Sequence, residues 1–86
     1  NYVMQTLVRR MNLKVNAMLI SRLCGRFVRL SMDKGASNVV EDLFRFSRAD
    51  HSAVIAQELM RCPEFLSVVQ DAYGNYVVQR ALQYTQ

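Results

Sequence analysis

A short motif that returns three times constrains this chain more than any other feature. Asn1-Tyr2-Val3-Met4-Gln5 recurs as Asn75-Tyr76-Val77-Val78-Gln79, and a relative, Ser37-Asn38-Val39-Val40-Glu41, lies between them. The copies start 36 and 38 residues apart. Self-similarity at such a period marks an array in which each unit covers the apolar face of its neighbour. The flanks repeat as well. Asp33-Lys34-Gly35-Ala36 precedes the middle copy and Asp71-Ala72-Tyr73-Gly74 the last, while Phe27 and Cys24 return 38 residues on as Phe65 and Cys62. Each Asp is placed to cap the helix that follows by accepting a bond from a free backbone N–H.

On a helix turning about 100° per residue, positions one, five and nine of each copy fall within about 80° of one another, and position two sits close beside them. Positions three, four, seven and eight fall on the other side by the same geometry. These are Val3, Met4, Leu7 and Val8, then Val39, Val40, Leu43 and Phe44, then Val77, Val78, Ala81 and Leu82. Every one is apolar, so each copy predicts a helix with a buried face and a repeated polar stripe opposite. The intervening segments also read as helices. Residues 14–24 carry Val15, Met18, Leu19 and Leu23, ended by Gly25; a short helix is expected near 27–32. Residues 52–61 carry Ala53, Ile55, Ala56, Leu59 and Met60, with Asp50 as a candidate N-cap. Pro63 stops that helix and suits the first turn of the next. Val68-Val69 favours a strand but is flanked by helical pattern.

Composition narrows the class. With 51% hydrophobic and 21% charged residues the chain is not disordered. No apolar run approaches the ~20 residues of a membrane span, and the N-terminus lacks a secretory pattern. The chain opens inside a patterned stretch, which suggests a piece of something longer. Cys24, Cys62 and the single histidine, His51, are too few for a zinc site, and two cysteines without a framework spacing fit a reducing, intracellular compartment. No cofactor is implied. No nucleophile–base pair, phosphate-cradling glycine loop or metal set stands out, which argues against an enzyme. A net charge of +4 and a pI near 9.5 are compatible with nucleic acid.

The polar stripe carries the chemistry. Asn1 with Gln5, and Asn75 with Gln79, are pairs of amides one helical turn apart, each with donor and acceptor. Uracil presents acceptor, donor and acceptor on its Watson–Crick edge, which two amides complement. The middle copy has Glu41 for Gln and Ser37 for Asn. A carboxylate only accepts, so Glu41 suits the adjacent donors of guanine, and short Ser37 leaves room for a purine. At the second position Tyr2 and Tyr76 offer flat faces for stacking, worth roughly 1–3 kcal/mol per base, and Asn38 offers a planar amide. Such a surface suits single-stranded RNA, whose bases are splayed out and read on their edges.

These three pentapeptides and their spacing resemble the recognition helices of the Pumilio (PUF) family. The resemblance covers essentially the whole chain, and the order of motifs is similar to the last three repeats of a Pumilio domain. It implies an all-α fold, an α-α superhelix built as a right-handed solenoid of Pumilio-type repeats. Residues 1–12 would be the recognition helix of a partial repeat, 13–48 a second repeat and 49–86 a third. It implies that Asn with Gln reads uracil, that Ser with Glu reads guanine, and that the second-position residue stacks. RNA runs antiparallel to the protein in that family. Asn75, Tyr76 and Gln79 would then take the first base, Ser37, Asn38 and Glu41 the next, and Asn1, Tyr2 and Gln5 the last, giving 5′-UGU-3′. The implied role is post-transcriptional control in the cytoplasm through mRNA 3′ untranslated regions, with regulatory proteins on the convex face. Gly35 departs from the aromatic that the family favours there, and is expected to loosen packing or the start of the middle helix.

Arg9 and Arg45 lie on the same stripe as candidate phosphate contacts, whereas Arg80 and His51 read as surface residues. Cys24 and Cys62 are expected to be small packing residues at helix ends, and Met4, Met18, Met32 and Met60 core filler. The alternative is a degenerate helical-repeat scaffold that binds protein. Sensitivity to a single base change, traced to Ser37 and Glu41, separates the two.

Overall fold

The computed structural model describes Val3, Gln5 and residues 13–84. All regular structure among the described residues is helical: α1 (Leu13–Leu23), α2 (Phe27–Ser31), α3 (Ala36–Phe46), α4 (Ala49–Arg61), α5 (Phe65–Gln70) and α6 (Gly74–Tyr84). Val3 and Gln5 are helical too. Met4, Leu7, Val8 and the rest of the first copy lie outside the described residues. Val68 and Val69, with their β-favouring side chains, sit inside α5, because Val68 is buried against the array and tertiary packing overrides propensity. No described helix is long and apolar enough to cross a membrane.

The repeat is visible in the packing. α1 lies against α4, α2 against α5, and α3 against α6, so every element meets the element 38 residues further on. Three such layers in one register are the geometry of a helical repeat array. The core between them comes from Ile20, Phe27, Val39, Val40, Leu43, Phe44, Ile55, Ala56, Leu59, Val68 and Val77. All four apolar positions of the middle copy are buried, because α3 has neighbours on both sides. The outer copies are not so complete. Val3 is 65% exposed and Leu82 65% exposed, since no described repeat stacks in front of the first or behind the third. Met18 and Met60 are exposed as well, so these two methionines are not core filler; Met32 does pack on the core.

Connections are fixed by backbone chemistry. Asp33 Oδ2 accepts from Gly35 N–H at 3.0 Å and Ala36 N–H at 2.8 Å. One repeat later, Asp71 Oδ2 accepts from Tyr73 and Gly74 N–H, both at 2.9 Å. The expected Asp caps therefore form in both repeats, serving donors that the helices leave unpaired. Gly35 does not disturb the start of α3. It does leave a cleft of about 230 Å³ beside it, lined by Leu23, Leu30, Val39 and Val40. Gly74 is required by close approach. A Cβ there would come within 2.6 Å of the Val68 carbonyl oxygen and 2.9 Å of Val68 Cγ1.

α1 ends at Leu23 and the chain turns at Gly25 with φ +91°, a conformation open to glycine. Glu58 on α4 spans this turn from more than 30 residues further along the chain. Its carboxylate accepts from Gly25 N–H at 2.6 Å and Phe27 N–H at 2.7 Å, capping α2. Asn16, buried on α1, donates to the Phe46 carbonyl at the end of α3. Two expectations are corrected. Asp50 is not the N-cap of α4; the helix starts a turn earlier than residue 52, and Asp50 pairs with Arg48 inside the first turn. Pro63 lies in the turn before α5, not in its first turn. Cys24 is exposed at the end of α1, so it packs little, while Cys62 Sγ–H donates to the Leu59 carbonyl.

Glu58→Ala removes both acceptors from the α2 cap. The chain should lose about 1–2 kcal/mol in a urea melt, with Glu58→Gln losing less. Gly74→Ala, which forces α6 away from Val68, should cost about 1–3 kcal/mol in the same measurement.

Candidate nucleic-acid interface

α3 and α6 carry the second and third copies of the motif and pack side by side in register. Ser37, Asn38 and Glu41 on α3 are thereby paralleled by Asn75, Tyr76 and Gln79 on α6. The apolar positions face the core, with Val39 and Val77 almost fully buried, and this pushes the second and fifth positions outward. Tyr76 is 52% exposed. Asn38 and Gln79 are exposed too, and Glu41 and Asn75 half-buried. Asn1, Tyr2 and Arg9 lie outside the described residues.

The amides of the third repeat are pre-oriented. Asn75 Nδ2 donates to the carbonyls of Asp71 at 2.8 Å and Ala72 at 3.0 Å. Gln79 Nε2 donates to Asn75 Oδ1 at 3.2 Å. With Asn75's donors committed to backbone, the pair offers an acceptor from Asn75 and a donor from Gln79. That is the complement of a ring N–H beside a carbonyl.

The middle repeat is built differently. Ser37 is only 3% exposed, and its hydroxyl donates to the Lys34 carbonyl at 3.3 Å. It forms a short wall rather than an outward donor, so Glu41 is the outward polar group of its pair. Glu41 is half-buried, and Oε1 lies 3.5 Å from Arg80 Nε on α6. Burial pushes the Glu41 carboxyl above its usual value of 4.5; the Arg80 and Arg45 guanidiniums oppose the shift and Asp42 adds to it.

Arg80 is where sequence reasoning fell short. It reads as a surface arginine, yet its side chain is only 23% exposed and bridges to the preceding repeat. A hydrogen bond from Arg80 Nη1 to Gln83 Oε1 at 2.6 Å steadies the guanidinium. The first repeat boundary has a related contact: Gln5 Nε2 donates to buried Asp42 at 3.3 Å. Asp42 and Arg80 hold the same sixth position of their copies. Arg45, which does lie on the stripe, is exposed and 3.9 Å from Asp42. His51, on α4, is half-buried and 3.9 Å from Asp50.

Comparison with known proteins accounts for this arrangement. Residues 26–60 and 64–86 match the Pumilio-family RNA binding repeat. The chain belongs to the Pumilio family. Pumilio homolog 12 of Arabidopsis thaliana is 36% identical over 83 residues, covering 96% of this chain and 14% of that protein. Putative pumilio homolog 10 of the same plant is 36% identical over 85 residues, covering 99% of this chain and 16% of that protein. A Pumilio domain-containing protein of Schizosaccharomyces pombe is 32% identical over 63 residues, covering 73% of this chain and 8% of that protein. The chain thus spans a small part of each relative's length. No solved structure matches it significantly. The all-α array of Pumilio repeats expected from the motifs is the fold observed, and its repeats are of an RNA-binding kind.

The raised Glu41 carboxyl sets a pH dependence. A carboxyl with a folded value above its unfolded 4.5 costs stability while ionised, so its penalty fades as pH falls through the folded value toward 4.5. Relative to Glu41→Gln, the parent chain should therefore gain stability on acidification over that window, in urea melts at stepped pH. A Glu41 titration midpoint at or below 4.5 by carbon-detected NMR contradicts this.

Proposed function

We propose that this chain binds single-stranded RNA in a sequence-specific way, one base per repeat, with 5′-UGU-3′ as its core. Gln79 and Asn75 read the first uracil, with Tyr76 stacking on it. Glu41 reads guanine, with Asn38 beside the base and Ser37 leaving space for the purine. Asn1, Tyr2 and Gln5 take the second uracil. Arg9 and Arg45 contact RNA phosphates on this reading. The observation that carries this reading is the side-by-side register of α3 and α6, with unlike fifth-position groups, Glu41 and Gln79, in equivalent places. A carboxylate accepts only, and an amide both donates and accepts. Neighbouring repeats that differ in this way select different bases.

The parent protein, on this reading, is a cytoplasmic regulator that binds mRNA 3′ untranslated regions and acts through proteins held on its convex face. The family membership and the relatives named as Pumilio homologues support this role.

The test is a specificity swap. The double variant Ser37→Asn with Glu41→Gln gives the middle repeat the side chains of the third. Binding to a labelled RNA carrying UGU, and to the same RNA carrying UUU, is followed by fluorescence anisotropy. Preference should move from G to U at the middle base by roughly tenfold or more, because hydrogen bonds to a charged group are worth about 1.5–3 kcal/mol. Unchanged preference in a folded double variant overturns the assignment. The parent's preference for G should also weaken on acidification at a pH above 4.5, since protonated Glu41 gains a donor.

A further inference from the structure

In α3 and α6 the sixth position turns about 100° away from the fifth, off the polar stripe and toward the preceding repeat. Its occupants are Asp42 and Arg80. Both reach the fifth-position residue of the repeat before them: Asp42 accepts from Gln5 at 3.3 Å, and Arg80 lies 3.5 Å from the Glu41 carboxylate. The pairing is also matched in sign. The acidic sixth residue meets the amide donor, and the basic one meets the carboxylate. We propose that the sixth residue of each helix is a positioning residue for the base reader of the preceding repeat, and that Arg80 tunes Glu41 for guanine.

This inference rests on the reading of Glu41 as a base-edge residue. Two consequences follow from the geometry. The guanidinium lies 3.5 Å from Oε1 of Glu41, and this ion pair restricts the carboxylate's rotation. Arg80 also favours the ionised carboxylate against the burial that disfavours it, and only the ionised form is acceptor-only. The guanidinium is itself held by Gln83 on the same helix. Base choice at the middle repeat therefore depends on a side chain of the next repeat, not on its own helix alone.

The experiment compares Arg80→Met, Arg80→Lys, Glu41→Gln and the double variant Glu41→Gln with Arg80→Met, each in the complete chain, against UGU and UUU RNAs. Arg80→Met keeps the apolar stem and removes the charge. It should lower the preference for UGU over UUU by roughly 2- to 5-fold, the size expected of a partly exposed ion pair. It should also raise the pH at which that preference is lost, and Arg80→Lys should restore part of both. The groups acting on Glu41 are Arg80 from α6 and Asp42 and Arg45 from α3 itself, so only the Arg80 share should vanish. In the Glu41→Gln background, Arg80→Met should leave base preference unchanged. Equal weakening of UGU and UUU, with a salt dependence reduced by about one ion, makes Arg80 a phosphate contact and overturns the proposal. So does an Arg80→Met chain with the parent's preference and pH profile. If Glu41→Gln alone leaves base preference unchanged, the failure lies in the reading of Glu41 as a base reader.

Discussion

The packing of α6 against α3 is the contact on which the rest depends. It buries Val77 against the core that Val39, Val40, Leu43 and Phe44 build, and a helix with one face held in that way must show its opposite face to solvent. The polar stripe is the remainder after burial is satisfied. Because α1 meets α4 and α2 meets α5 in the same 38-residue register, successive stripes are set beside one another. One repeat could not bury its own apolar face, so the stack and the row of candidate base readers arise from the same contacts.

Polar contacts then add what apolar burial cannot. The Asp33 and Asp71 caps set where α3 and α6 begin, and so the rotation at which Ser37 and Asn75 leave the turn. Glu58 ties the α1–α2 turn to α4 through two backbone N–H groups. Arg80–Glu41 and Asp42–Gln5 do the same on the reading face. Each of these ties joins helices far apart in sequence, so an array held in this way resists slipping of its units.

Much of this was legible in the sequence. Three similar pentapeptides with matched apolar positions located α3 and α6 and their buried faces, and Gly25 and the repeated Asp marked helix boundaries to within a few residues. Periodicity, however, assigns a face within one helix and says nothing of what covers it. Met18 and Met60 match an apolar pattern yet are exposed, because no described element lies over them. Ser37 belongs to the polar stripe yet is buried, since a small side chain one turn from the Asp cap folds back to the Lys34 carbonyl. Glu58 and Arg80 were missed as linking residues because their partners lie 31 to 39 residues away. The sign match between Glu41 and Arg80, and between Gln5 and Asp42, was present in the repeats and needed only an alignment of the sixth position to be noticed.

The central claim is that α3 and α6 together form one base-reading face. A titration of this chain with RNA carrying UGU, and separately with UUU, followed by amide and side-chain NMR shifts, tests it most directly. The account predicts shifts confined to the surroundings of Asn38, Glu41, Asn75, Tyr76 and Gln79, larger for UGU, with the greatest difference between the two RNAs at Glu41. Shifts gathered on α1 and α4, or identical responses to UGU and UUU in a folded sample, contradict it.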